Sequence, residues 1–167
     1  MAKLNIQIAQ SCDAPLIASV LKEAAQWLSV GGRPLWSDAE ISEMRILRDT
    51  SNGLFYIAYD GVRAAGVMKF ELEDFHFWPE VQPTTSAYVH KLAVRRAWAK
   101  RGVSKQLLSY AVDLARHFGR AYLRLDCVAD RQGLRNLYEE FGFTLHSVVE
   151  IGRSSYARYE LPISTER

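Results

Sequence analysis

The residues with the most chemical potential lie in one run, Tyr88 to Ser104. An apolar strand pattern carrying the imidazole of His90 leads into a basic loop. The loop ends at a small-residue turn, Arg101-Gly102-Val103-Ser104, that opens a helix. Five cations (Lys91, Arg95, Arg96, Lys100 and Arg101) fall here with a sixth, Lys105, just after, and no carboxylate follows before Asp113. The first N–H groups of a helix have no partner within it and sit at the positive end of its dipole, so such a turn can cradle a phosphate. The stretch is suited to a polyanion. His90 stands two residues after Tyr88 and two before Leu92, so in a strand all three point to one side. An imidazole with an ordinary pKa near 6.5 can take a proton at neutral pH. The plainer reading of His90 is a packed, hydrogen-bonded strand residue.

The elements that must position this run are legible by periodicity. Leu4, Ile6 and Ile8 alternate with polar residues as a short strand. Asp13 is the expected cap of a helix with Ile17, Val20, Leu21, Ala24 and Leu28 on one stripe, stopped by Gly31-Gly32. Ser37-Asp38-Ala39-Glu40 has the form of a capping box and predicts a second helix to about Asp49. Residues 54–59 and 62–70 are rich in strand formers and joined by Asp60-Gly61, a hairpin signal. Residues 71–85 read as a loop or an irregular strand end mixing Phe75, Phe77 and Trp78 with Glu73, Asp74 and Glu80.

A strand over 86–94 then leads to a helix over 104–118, with Ser104, Leu107, Leu108, Ala111, Leu114, Ala115 and Phe118 sharing a face before Gly119. The next strand is Ala121 to Cys127, in which Asp126 faces opposite to Leu125 and Cys127. Strand, helix and strand with short loops predict a βαβ unit with parallel strands. Asp130 is the expected cap of a helix along Leu134, Leu137, Tyr138 and Phe141, ended by Gly142, and 143–149 with 155–161 form a final antiparallel pair. The expectation is one mixed α/β domain over residues 1–167.

Composition bounds the function. A chain of 167 residues, 49% hydrophobic, can bury one sizeable core. Its net charge is only +2, but residues 1–80 carry seven Lys/Arg against eleven Asp/Glu, while residues 81–167 carry fourteen against eight. Such asymmetry can steer an anion to one half and a cation to the other. Cys12 and Cys127 have no metal-ligand spacing, which predicts buried thiols in a reducing compartment and no metal. Residues 1–10 lack an apolar signal core, and no apolar run approaches the roughly 20 residues of a membrane span, so the cytoplasm is expected. A nucleic-acid partner is disfavoured, because the helix after the basic loop shows no row of base-reading side chains.

Two segments resemble the GNAT acyltransferase superfamily. One is His90-Lys91-Leu92-Ala93-Val94 with the glycine loop after it; the other is Leu137-Tyr138-Glu139-Glu140-Phe141-Gly142-Phe143. The resemblance in element order covers nearly the whole chain. The family's pyrophosphate loop, Gln/Arg-x-x-Gly-x-Gly/Ala, falls on Ala99, Lys100, Arg101, Gly102, Val103 and Ser104; Gly102 matches, and Ala99 and Ser104 depart. Many relatives have an asparagine where Arg131 stands, touching the pantetheine arm. Here Arg131 is either a phosphate contact or a solvated first-turn residue.

The resemblance implies a mixed sheet whose central parallel strands splay apart, with helices on both faces and acetyl-CoA as acyl donor. It implies cofactor contacts at Leu92, Ala93, Val94, the loop 99–104, Lys105 and Arg131. Tyr138 falls where relatives place a general acid for the departing sulfur. His90 falls where some amine acetyltransferases place a histidine base. The implied reaction is direct attack by a primary amine of a small molecule or peptide on the thioester. The implied partners are acetyl-CoA and the amine, with homodimerisation common among relatives. A CoA-binding protein that has lost catalysis is the alternative. The acceptor pocket is expected from the N-terminal helices and the 71–85 loop, where Trp27, Trp36 and the loop's aromatic and acidic residues could receive an ammonium.

Overall fold

In the computed structural model the described residues are 2–164, so the ends of the expected 1–167 domain lie outside them. The chain divides into two compact units, one holding the residues up to Phe70 with Lys91–Tyr110, the other holding Glu71–His90 with the residues from Ala111 on.

The first unit carries β1 (Asn5–Ile8), α1 (Ala14–Trp27), α2 (Glu43–Ser51), β2 (Phe55–Asp60) and β3 (Arg63–Glu71, up to its last residue). It also holds the end of β4 (Ser86–Val94), a one-turn 3-10 helix over Arg96–Trp98, and the first half of α3 (Val103–His117). Its strands lie in the order β1-β2-β3-β4, the first three antiparallel. The α1 stripe behaves as its spacing requires: Ile17, Val20, Leu21 and Ala24 are fully buried, packed with Ile46, Phe55, Ile57, Val67 and Ala93. Each Val, Leu, Ile or Phe side chain among them contributes on the order of 1.5–3 kcal/mol when withdrawn from water, before the chain entropy lost in ordering it.

Two boundaries and one cap differ from the sequence reading, each for a local reason. The Ser37–Glu40 box does form, with Ser37 N–H donating to Glu40 Oε2 at 2.8 Å and Glu40 N–H to Ser37 Oγ at 3.3 Å. It closes only a turn, however. The helix starts at Glu43, capped by Ser42, whose Oγ accepts from Arg45 N–H at 3.4 Å. Helix α1 ends at Trp27, ahead of Gly31-Gly32, which instead turn a Val30–Arg33 bridge. Asp13 holds the N-cap position, yet its carboxylate accepts from Gln10 N–H at 2.7 Å rather than from the helix. The hairpin turns at Gly61, whose φ of +61° suits a residue without a β-carbon.

The second unit carries the start of β4, the rest of α3, β5 (Tyr122–Val128), α4 (Gln132–Phe141), β6 (Thr144–Ile151) and β7 (Ser154–Pro162). Its strand order is β4-β5-β7-β6, with β4 parallel to β5 and the other pairs antiparallel. The fold is therefore mixed α/β, as expected. The last hairpin does not simply extend the sheet in chain order: β7, the later strand, takes the place beside β5. Trp78 is buried against two guanidiniums, Arg158 at 4.4 Å and Arg124 at 4.9 Å from its ring centroid. Arg158 also donates to Phe77 O at 2.9 Å and pairs with Glu80 at 2.7 Å, which pins the 71–85 loop. Phe118 is 46% exposed rather than on the buried face of α3, because the helix has already ended at His117.

Candidate active site

The parallel ladder between β4 and β5 is short. Its register runs Ser86 to Tyr122, Ala87 to Leu123 and Tyr88 to Arg124, and stops. One strand period further on, His90 stands across from Asp126, with His90 Nδ1 3.7 Å from Asp126 Oδ1. The other ring nitrogen faces the loop after β3, with Asp74 Oδ2 2.9 Å and Glu71 Oε2 3.7 Å from Nε2. One imidazole thus has carboxylates on both sides, and Phe77 covers it at a ring distance of 5.9 Å. All of these residues belong to the second unit.

Asp74 is set by its own loop. Its Oδ1 accepts the backbone N–H of Phe77 at 2.9 Å and of His76 at 3.1 Å, an Asx-type turn that leaves Oδ2 aimed at the ring. Burial alone would lower the His90 pKa. The close contact with Asp74 and the charges of Asp126, Asp74 and Glu71 outweigh it and raise the pKa above its ordinary value. Burial likewise pushes the Asp74 carboxyl up, but His90 and the two backbone N–H groups pull it below the usual range.

Tyr138 is the one buried residue of α4, edge-on to Tyr159 at 5.9 Å and Phe143 at 6.2 Å. Burial first, then the charges of Cys127, Asp126 and Tyr159, hold its hydroxyl proton to a strongly alkaline pKa. The Cys127 thiol is pushed up to about 12 by burial and by Asp126, against Arg135 and Arg131. It stays protonated, a buried inert thiol. Cys12, expected to be buried, is exposed.

The basic loop belongs to the first unit. Lys100 and Gly102 both take positive φ, +59° and +81°, which turns the chain sharply into the N-terminus of α3. A β-carbon on Gly102 would meet nothing within 4 Å, so the ground before the helix is open. Lys100, Arg101 and Lys105 are exposed around it, while Ala99 and Ser104 are half-buried and Val103 is buried. The residues therefore fit a pyrophosphate. Two of the six cations have local duties instead: Arg95 pairs with Glu23 at 2.6 Å, and Lys91 lies over Trp36 at 5.1 Å and near Glu40 at 3.9 Å. On β4 the carbonyl of Val94 already accepts Trp27 Nε1–H at 3.2 Å, so an added ladder at Leu92, Ala93 and Val94 must use other backbone groups.

Three readings of the sequence need correction. Lys91 has φ +50°, which breaks the alternation of β4 after His90. Tyr88 and His90 share a face, but Leu92 does not follow them by simple strand period. Arg131 is not a solvated first-turn residue. It is 8% exposed at the N-cap of α4, the position expected for Asp130. Trp78, grouped with the possible acceptor-pocket residues, is fully buried.

Asp74, Asp126 and His90 offer ligand atoms within 4.8 Å of one another, and they are the group among the described residues that could hold a metal ion. What sequence reasoning missed was Asp74 as a neighbour of His90. The Asp74-Phe75-His76-Phe77 turn signal was readable; its distance from residue 90 was not.

This site lies in a chain whose residues 21–143 match the sequence model of the acetyltransferase (GNAT) family. The protein belongs to that family. It is 29% identical over 163 residues to the uncharacterized N-acetyltransferase YesJ of Bacillus subtilis, covering 92% of this chain and 87% of that one. Among solved structures, a GNAT-family acetyltransferase from Listeria monocytogenes superposes with a TM-score of 0.78 at 22% identity, covering 95% of this chain and 94% of that one. YncA, a putative acetyltransferase from Salmonella typhimurium solved with its cofactor acetyl-CoA, gives a TM-score of 0.74 at 17% identity over 99% and 97%. At these identities the structures establish the fold. No helix among the described residues is long and apolar enough to cross a membrane.

Proposed function

We propose that this GNAT acetyltransferase moves the acetyl group of acetyl-CoA to a primary amine of a small molecule or peptide by direct attack. The observation that carries the reading is His90, held between Asp74 and Asp126 one step beyond the end of the β4–β5 ladder. An alkyl ammonium with a pKa near 10 cannot attack a thioester until it loses a proton. Glu71, Asp74 and Asp126 favour the ammonium electrostatically, and His90 takes its proton directly or through one water.

On the first unit, the N–H groups at the start of α3 and the exposed Lys100, Arg101 and Lys105 hold the pyrophosphate. Leu92, Ala93 and Val94 pair their remaining backbone groups with the pantetheine amides, a form of strand addition. A backbone N–H near Leu92 meets the developing oxyanion, an interaction worth ~2.7–4 kcal/mol in other enzymes. Tyr138 serves the departing sulfur. With its pKa raised above that of a thiol, full transfer from the free phenol is uphill, so it first donates a hydrogen bond. Overall, the ammonium gives up two protons: His90 takes one before attack and passes it to solvent, and the one lost from nitrogen after attack is balanced by the proton that ends on the sulfur of CoA.

The test is incubation with acetyl-CoA and a panel of primary amines and peptides, reading free thiol and the mass of the product. Amine-dependent thiol release with a gain of one acetyl group supports the reading. Binding of CoA with no turnover for any acceptor would leave a CoA-binding protein without catalysis.

A further inference from the structure

We propose that Asp74 is a positioning residue: it keeps the His90 proton on Nε2 and leaves Nδ1, on the Asp126 side, as the nitrogen that receives the proton of the acceptor. The inference rests on the reading of His90 as the base, and it names which atom of the ring does the work.

Two acceptors, a carboxylate oxygen and a bare imidazole nitrogen, repel each other at 2.9 Å, so the charge of Asp74 favours a proton on Nε2 although that N–H is not aligned on Oδ2 as a hydrogen bond. Asp74 cannot easily turn away, because Oδ1 is tied to the backbone N–H groups of His76 and Phe77. Nor is the ring free to tumble, since Phe77 lies 5.9 Å from it at a tilt of 34°, itself edge-on to Tyr156 at 5.0 Å. A neutral imidazole carries one proton, so an Nε2–H ring has its lone pair at Nδ1.

On that side Asp126 Oδ1 is 3.7 Å away, too long for a direct hydrogen bond. A donor about 2.8 Å from each would bridge the two without strain. An ammonium fits: one N–H to the carboxylate, one to Nδ1. Moving the second proton to Nδ1 converts the ring to imidazolium, with an N–H facing each carboxylate, and leaves the amine neutral with its lone pair available. No atom or electron is unaccounted for, and the proton is stabilised at the moment it arrives. The titratable groups around the ring are Glu71 from the end of β3, Asp74 from the loop, Tyr88 two residues back on β4 and Asp126 from β5.

The test is ¹⁵N NMR of the full chain labelled at histidine, with His90 assigned by the loss of its signals in His90→Gln. Above the His90 pKa, the expected spectrum is that of the Nε2–H tautomer. In Asp74→Asn, checked for folding by circular dichroism, the tautomer should change or mix and the His90 midpoint should move to lower pH. With a working acceptor, the rising limb of kcat/KM should move to lower pH as well, kcat should fall at least about tenfold, and the KM for acetyl-CoA should hold. Asp74→Glu should restore part of the wild-type profile. An Nδ1–H tautomer in the wild type, or an Asp74→Asn variant with unchanged tautomer and pH profile, would overturn the proposal. Full activity in His90→Gln would remove the base reading instead, and the NMR tautomer would still report on Asp74 independently.

Discussion

Gly66 approaches the carbonyl of Ala93 so closely that a β-carbon on it would meet that oxygen at 2.7 Å. The same β-carbon would meet Val103 Cγ1 at 3.0 Å and Leu107 Cδ1 at 3.3 Å, so one missing side chain sets how β3 packs against both β4 and the start of α3. Gly66→Ala should therefore destabilise the fold by about 1–3 kcal/mol through overpacking. It should also weaken acetyl-CoA binding, since the strand end and helix start proposed to hold the donor are displaced together. Urea denaturation and calorimetry measure the two effects; unchanged stability would mean the backbone carbonyl can yield.

Gly102→Asp puts bulk and negative charge at a position of φ +81° in front of the α3 N-terminus. Affinity for acetyl-CoA should drop at least about tenfold, ~1.4 kcal/mol. Gly102→Ala has room for its methyl group and carries only the backbone strain, so it should lose less. Equal calorimetric affinities for wild type and Gly102→Asp would move the pyrophosphate elsewhere.

Tyr138→Phe keeps the ring contacts with Tyr159 and Phe143 and removes only the hydroxyl. The expected result is a kcat lower by about 10²–10⁴ with little change in stability. Because burial holds the Tyr138 proton to strongly alkaline pH, its ionisation should produce no falling limb in the wild-type profile below about pH 10. An undiminished kcat would make Tyr138 a packing residue.

His90 gives two pH signatures of definite sign. Its folded pKa is raised, so kcat/KM should climb with a midpoint above the ordinary 6.5 as the ring becomes a free base. The same shift stabilises the fold: the contribution is complete below the unfolded pKa and is lost as pH rises through the folded one. Asp74, with a lowered pKa, contributes above its unfolded value and loses that as pH falls. His90→Gln should remove the rising limb and flatten the decline of stability above pH 6.5. Thermal melts at a series of pH values, beside rate profiles, read both.

The sequence by itself determined what short-range physics controls. The α1 stripe, the turn at Gly61, the span of β4 and the sharp turn at Gly102 before α3 all follow from periodicity and from residues allowed a positive φ. It also identified the family, because Gly102 and the Leu137–Phe143 segment fall at recognisable spacing. Tertiary structure decided which distant residues share a site. Nothing local to Asp74 says that its second oxygen meets a ring sixteen positions along the chain, nor that Asp126 lies across from His90; the β4–β5 register settles that. Local rules also failed at the Ser37–Glu40 box, which closes a turn while Ser42 caps the helix that follows. The place of β7 beside β5 and the double stacking on Trp78 belong to the same class. Backbone preference acts over a few residues, whereas a catalytic constellation is fixed by packing among segments whose separation in sequence carries no such preference.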